Sequence, residues 1–201
     1  MKDRNLTAIV DYRAGNLTSV RLAFAALGVE TTVTSDPEII RSADRVVFPG
    51  VGAAASAMAN LKALGLTDVV RQAALDGRPF LGICLGMQIL FEYSEEDGGV
   101  ELLGILPGRV RRFPDVPGFK VPEIGWNQVK GLAADGVPDG SEFYFVHSYY
   151  AEKGRYTVGV TEYAGVEFTA AVRRGALMAT QFHPEKSGRL GLALLKGFLS
   201  C

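Results

Sequence analysis

The stretch Pro79-Phe-Leu-Gly-Ile-Cys-Leu-Gly-Met87 restricts the possible folds more than any other part of the chain. Phe80–Ile83 is an apolar run short enough for a buried strand, and Met87–Phe91 has the texture of a helix. Between them lies Gly82-x-Cys84-x-Gly86, the sulfur counterpart of the Gly-x-Ser-x-Gly turn that lifts a nucleophile out between a strand and a helix. The turn is so tight that side chains at the two glycine positions would block it. Cys84 is expected at its tip, at the N-terminus of the outgoing helix, where free N–H groups and the helix dipole favour a thiolate over a thiol. Cysteine alone is more often simply buried. The flanking glycines, strand and helix give Cys84 its chemical reading.

The chain before Cys84 alternates strand and helix. Leu6–Val10 predicts a first strand, and Leu17–Leu27 an amphipathic helix closed by Gly28. Val29–Thr34 is β-branched and reads as a second strand. Asp36-Pro37 starts a helix. Arg45–Phe48 is a third strand running into Pro49-Gly50-Val51-Gly52, and Ala53–Leu61 and Thr67–Leu75 read as helices. This alternation implies an α/β fold with a parallel sheet and helices on both faces, and ligands gather at the carboxyl ends of such strands. After Phe91 the texture changes. Ser94–Gly99 reads as a loop and Gly108–Phe113 as a strand, and Pro114, Pro117 and Pro122 interrupt the next stretch. Glu142–Val146, Thr157–Thr161, Glu167–Val172 and Leu177–Phe182 read as strands spaced for antiparallel pairing. Leu190–Leu199 is a closing helix.

Composition excludes several classes. The chain has 201 residues, enough for one large domain or two small ones, is 48% hydrophobic and carries a formal net charge of −1. Nothing in that balance points to nucleic acid or an anionic membrane. No stretch suits a secretory signal or a membrane-spanning helix. The two cysteines, Cys84 and the terminal Cys201, do not make a disulfide scaffold. A cytoplasmic protein with reduced thiols is expected, with Cys201 in the fraying terminus.

A cysteine nucleophile needs a base, usually histidine. The chain offers His147 and His183, each at the end of an aromatic-rich strand. In His183-Pro184-Glu185 the proline disfavours the α region for His183. An extended tripeptide is expected, with His183 and Glu185 on one face. A carboxylate there orients an imidazole and stabilises its protonated form. His147 has no acidic neighbour in sequence, so His183 is assigned as base and Glu185 as its orienter. An acyl-transfer site also needs oxyanion donors. The N–H of Leu85 is one, and the glycine-rich loop offers Val51 as the other. As bare sequence that loop is equally an ordinary βα turn. It lacks the Lys-Ser/Thr ending of a phosphate-binding loop.

The Gly-x-Cys-x-Gly turn, the preceding Pro-Gly-x-Gly loop and the late His-Pro-Glu, in that order, resemble the class I (triad-type) glutamine amidotransferases. The resemblance spans Asp11 to the final helix. It implies a flavodoxin-like fold forming one domain over residues 1–201, and a Cys84, His183, Glu185 triad that hydrolyses glutamine through a thioester. Gly52, Gln88, Glu96, Ser148 and Tyr149 match positions of the glutamine pocket. Gly82-Ile-Cys-Leu-Gly-Met-Gln88, Gly125-Trp126-Asn127, Tyr144-Phe-Val-His-Ser-Tyr149 and Gln181-Phe-His-Pro-Glu-Lys-Ser187 are most similar to glutaminase subunits that feed a cyclase in histidine biosynthesis. That implies a heterodimer with a (β/α)8-barrel cyclase subunit that takes the ammonia. The docking face would include Asn16, Trp126, Asn127 and Lys186; as bare sequence, Trp126 is equally a core aromatic. No cofactor or metal is implied. Three positions depart from the family pattern: Glu123 and Ala53 stand where histidine is frequent, and Arg13 where glycine is frequent.

Two other readings exist for these residues. One is another enzyme on the same scaffold: a cysteine peptidase or deglycase relative, or the glutaminase of a different synthase. The other is a binding module that has lost its chemistry. The late His-Pro-Glu argues against the peptidase group, and the intact Cys84, His183 and Glu185 set argues against the binding module.

Overall fold

The structure is a computed structural model that describes residues 5–200. Cys201 lies outside the described residues. The first half is a βα succession: β1 (Thr7–Val10), α1 (Leu17–Ala26), β2 (Thr31–Thr34), α2 (Pro37–Ser42), β3 (Arg45–Gly50), α3 (Ala54–Ala63), α4 (Thr67–Leu75) and β4 (Phe80–Cys84). Local chemistry sets several boundaries. Asn16 caps α1 by accepting from the Ser19 N–H, and Asp36 caps α2 with Pro37 in its first turn.

β1 to β4 pair in parallel in the order β2-β1-β3-β4, and alternate residues of β1, β3 and β4 feed two layers. Ala8, Val10, Val46, Phe48 and Phe80 face one way, onto α2, α3 and α4. Ile9, Val47, Leu81 and Ile83 face the other way, onto α1 and the last helix. Strands buried on both faces are near-continuous apolar runs, which is why β1, β3 and β4 stand out in the sequence, whereas the edge strand β2 is only half-buried and shows through its β-branched residues.

The elbow helix differs from expectation. α5 spans Leu85–Gln88, a single turn, instead of Met87–Phe91. Leu90 and Phe91 already close turns on Met87 and Gln88, and the chain moves on to β5 (Tyr93–Ser94), a 3-10 turn at Glu96–Gly98, and β6 (Val100–Glu101). So short a helix carries little macrodipole. Its contribution at Cys84 is local N–H groups.

The second half comprises β7 (Arg109–Arg112), β8 (Glu123–Val129), β9 (Ser141–His147), β10 (Tyr149–Ala151), β11 (Thr157–Tyr163), β12 (Val166–Arg174), β13 (Leu177–Thr180) and α6 (Gly188–Leu199). β13 returns beside β4, parallel to it, and pairs antiparallel with β12. The large sheet so formed is extended by β10, β7, β5 and β6, with β11 on β12. No helix among the described residues is long and apolar enough to cross a membrane.

β8 has no counterpart among the strands expected from sequence. It pairs with β9 as a separate hairpin. Its alternation is inverted: Glu123 is buried, while Ile124 and Trp126 are 63% and 55% exposed. Apolar residues outward and a carboxylate inward hide a strand from any rule that assumes the opposite. The hairpin packs on a third aromatic cluster with Phe113, Phe143, Phe145, Phe168 and Phe182.

Candidate active site

The elbow is built by exclusion of side chains. A Cβ on Gly86 would lie 1.8 Å from the Phe48 carbonyl oxygen, and one on Gly82 would lie 2.9 Å from Ala179 Cβ. β3, β4 and β13 therefore close on the turn without gaps. Cys84 itself has φ +55° and ψ −112°, a conformation L-residues rarely adopt. Such strain costs roughly 1–3 kcal/mol and persists where neighbours enforce it. The thiol is buried and can donate to the Val146 carbonyl, 3.9 Å away.

β13 carries the chain to His183 alongside β4. The expected extended tripeptide is replaced by a tighter shape: His183 is extended, but Pro184–Lys186 forms a 3-10 turn. The turn brings Glu185 Oε1 within 2.8 Å of His183 Nδ1, so the pairing arises from the turn rather than from strand alternation. Both side chains are almost fully buried. His183 Nε2 is buried without a formed hydrogen bond, and the contact with Cys84 falls short of hydrogen-bond geometry. Burial, the largest single influence, disfavours the imidazolium. Cys84 and Glu185 outweigh it and push His183 up to about 10. His183 therefore holds its proton at neutral pH.

His147 is also paired. Across β8–β9 it faces Glu123, with Nε2 3.0 Å from Oε2. The sequence offers no acidic neighbour because this one lies 24 residues back, across the hairpin. Its other nitrogen, Nδ1, is 2.7 Å from the Tyr149 carbonyl. The structure thus holds two buried His–Glu pairs. His183 acts electrostatically with Cys84.

Val51 and Gly52 follow Gly50, which is in register with Cys84. Val51 is 41% exposed, and Gly52 has φ +97°. A side chain at Gly50 would have to displace the buried Tyr12 hydroxyl, which its Cβ would approach to 1.9 Å. Leu85 is buried as the first residue of α5. Ala53 caps α3 without a side-chain bond, and Glu96 serves instead by accepting from the Ala54 N–H at 2.7 Å. That bond ties the glycine-rich loop to the Glu96 turn. Burial foremost, with Asp97 repulsion, raises the Glu96 pKa despite this bond. Tyr149 is raised as well, by burial and then by Glu96. Gln88 is buried and donates to the Tyr149 carbonyl and to Gln181. Ser148, half-buried between β9 and β10, accepts from the Phe113 N–H through its carbonyl. Arg13 has φ +64°, the conformation that makes glycine frequent there.

Sequence reasoning misses Gln181 and Tyr12. Gln181 is fully buried with Nε2 3.7 Å from Cys84 Sγ. Tyr12 is fully buried with an unpartnered hydroxyl, and burial, then Cys84, push its pKa up. Neither residue follows a spacing rule; only the topology brings them to the sulfur.

Trp126, Tyr144 and Lys186 form an exposed group beside the site, with the Lys186 ammonium 5.8 Å from the Tyr144 ring and the Trp126 and Tyr144 rings 6.2 Å apart. Asn127 lies on the opposite face of β8, its amide donating to Glu123 and to the Glu162 carbonyl. Asn16 spends its side chain on Ser19.

A strained cysteine elbow on a doubly wound sheet, beside a His–Glu pair, defines a class of acyl-transferring enzymes, and sequence comparison agrees. The family described as "Glutamine amidotransferase class-I" matches residues 8–200, and the chain belongs to that family. Among curated relatives, "Imidazole glycerol phosphate synthase subunit HisH" of Dehalococcoides mccartyi (strain CBDB1) is 50% identical over 198 residues, covering 96% of each chain. The protein of the same name from Moorella thermoacetica is 51% identical over 197 residues, covering 95% of this chain and 92% of that one. Solved structures share the fold at lower identity. "Crystal structure of glutamine amidotransferase" has a TM-score of 0.74 at 20% identity, covering 96% of this chain and 97% of that one. "Structure of PurLQS from Thermotoga maritima" has 0.73 at 17%, covering 98% of each.

Proposed function

We propose that this chain is the glutaminase subunit of an imidazole glycerol phosphate synthase, acting in the cytoplasm as one domain and passing ammonia to a (β/α)8-barrel cyclase subunit. The observation that carries the chemistry is Cys84 at its strained elbow beside the buried His183–Glu185 pair. Cys84 Sγ attacks the amide carbon of glutamine as the thiolate, its proton resting on His183. The oxyanion is met by the N–H groups of Leu85 and Val51. As the C–N bond breaks, His183 gives its proton to the departing ammonia, and Glu185 keeps the imidazole in place. Water then attacks the thioester and His183 takes its proton. The C–S bond breaks, the electron pair returns to sulfur, and glutamate leaves. Gly52, Gln88, Glu96, Ser148 and Tyr149 line the glutamine pocket.

The partner face is supported by an exposed apolar group on an inverted strand, Ile124 and Trp126, next to Lys186. Asn16 completes that face, and Asn127 holds it from behind. Val51 sits on a loop able to turn its peptide, so the isolated chain is expected to be nearly inactive until the cyclase and its nucleotide ligand favour the inward N–H. A missing oxyanion donor costs about 10²–10³ in rate, so activation of at least that order is expected. The experiment is glutamate release by the chain alone, with the cyclase subunit, and with the cyclase plus its ligand. Full activity of the isolated chain overturns the activation, and no glutamate release in the complete mixture overturns the function.

A further inference from the structure

A chain of buried polar groups runs from β8, the strand that exposes Trp126, to the sulfur of Cys84. One carbonyl sets its polarity. Tyr149 O lies 2.7 Å from both Gln88 Nε2 and His147 Nδ1. A carbonyl accepts and never donates, so both nitrogens direct a hydrogen at it. Gln88 Nε2 uses its second hydrogen on Gln181 Oε1 at 2.9 Å. Gln181 is thereby fixed with its oxygen toward Gln88 and its Nε2 toward Cys84 Sγ, at 3.7 Å. In the other direction His147 Nε2 and Glu123 Oε2 lie 3.0 Å apart, an ion-pair distance at which neither atom completes a hydrogen bond, and Glu123 Oε1 accepts from Asn127 Nδ2 at 2.8 Å. Glu123, His147, Gln88 and Gln181 are all buried. The formed bonds through Gln88 hold Gln181 in one arrangement, because an unpaired amide there is costly, and the Glu123 carboxylate acts on His147 by its charge and position.

We propose that Gln181 is a further catalytic residue, the hydrogen-bond donor that steadies negative charge on Cys84 Sγ, and that Glu123 is a positioning residue for it, acting through His147 and Gln88. This rests on Cys84 being the nucleophile. The single-turn helix after Cys84 leaves the sulfur short of dipolar support, and the Gln181 amide supplies a fixed N–H instead. The same donor receives the charge again when the C–S bond of the thioester breaks.

The test is iodoacetamide alkylation of the Cys84 peptide, measured by mass spectrometry across pH in the full chain, together with glutaminase kinetics in the complex. Gln181→Met keeps the length and removes the donor. It should move the midpoint of the alkylation profile up by about one pH unit, a tenfold slowing on the acid limb. It should lower kcat about tenfold, with KM for glutamine changed less than about twofold. His183 and Tyr12, the other titratable groups acting with the sulfur, stay in place. Glu123→Ala should shift the profile in the same direction by less. Glu123→Gln should restore it, since an amide donates to His147 Nε2 and still accepts from Asn127. An unshifted profile in Gln181→Met overturns the donor. If that variant does not fold, equal profiles for Glu123→Ala and Glu123→Gln overturn the proposal. Wild-type chain that keeps its glutaminase activity after full alkylation of Cys84 instead removes the nucleophile assignment itself.

Discussion

Replacing Gly86 by alanine should damage both stability and turnover, through one contact. The new Cβ would meet the Phe48 carbonyl oxygen at 1.8 Å and its carbonyl carbon at 2.9 Å. Such atoms essentially never approach a Cβ within 3.0 Å, so β3 and the elbow must part by more than about 1 Å, a misplacement that alone can cost about 10² in rate. The obstruction is backbone, which cannot rotate away as a flexible side chain would. Overpacking of this kind costs about 1–3 kcal/mol and occasionally more. At roughly 2–4 °C per kcal/mol for a chain this long, the melting temperature should fall by about 2–12 °C. Displacement of β3 also moves Gly50 and Val51 relative to Cys84. Glutaminase turnover in the complex should therefore fall at least about a hundredfold. Gly197→Ala is the control: its Cβ meets nothing within 4 Å inside α6, so it should stabilise by about 0.5–1 kcal/mol and leave turnover unchanged. Thermal melts and steady-state assays decide. A Gly86→Ala variant with wild-type melting temperature and turnover would refute the steric account of the elbow.

His183, raised from 6.5 to about 10, should titrate by NMR far above an ordinary histidine, and Glu185→Gln should bring it down because burial then meets less opposition. The sign comes from linkage: a pKa raised by folding stabilises the native state fully below about 6.5, and that contribution is lost as pH rises through about 10. A His183 signal titrating near 6.5 in the parent chain contradicts this. Trp126→Ala, at a largely exposed position, should change stability by no more than about 0.5 kcal/mol while weakening cyclase binding by more than about tenfold; unchanged affinity removes Trp126 from the interface. Tyr12→Phe removes a buried hydroxyl with no partner, so stability should hold or rise, by up to about 1–3 kcal/mol of relieved desolvation, read as an unchanged or higher melting temperature. A clear fall would mean that the hydroxyl has a partner in solution.

Much of the site can be read in the sequence because its features are local. The elbow needs glycine at two fixed positions around Cys84, and a histidine two residues from a glutamate finds its partner through a single turn, even though that turn is 3-10 rather than extended. Three of the four parallel strands are equally plain, because strands covered on both faces cannot hide their apolar character, and β2 shows through its β-branched run. The features that escape depend on distance along the chain. Gln181 meets Cys84 across 97 residues and Glu123 meets His147 across a hairpin, and neither contact has a spacing signature. β8 is invisible because it presents Ile124 and Trp126 to solvent and buries Glu123. The length of α5 is misjudged because Ile89, Leu90 and Phe91 are apolar for packing, not for helix formation.

The central claim is that Cys84 is the nucleophile that opens glutamine. It is tested most directly by treating the assembled complex with a glutamine-analogue electrophile while following mass and glutaminase activity together. The predicted result is one adduct per chain, on the Cys84 peptide, with activity lost in proportion to labelling, and no adduct in Cys84→Ala. Complete modification of Cys84 with glutamine hydrolysis undiminished would contradict it.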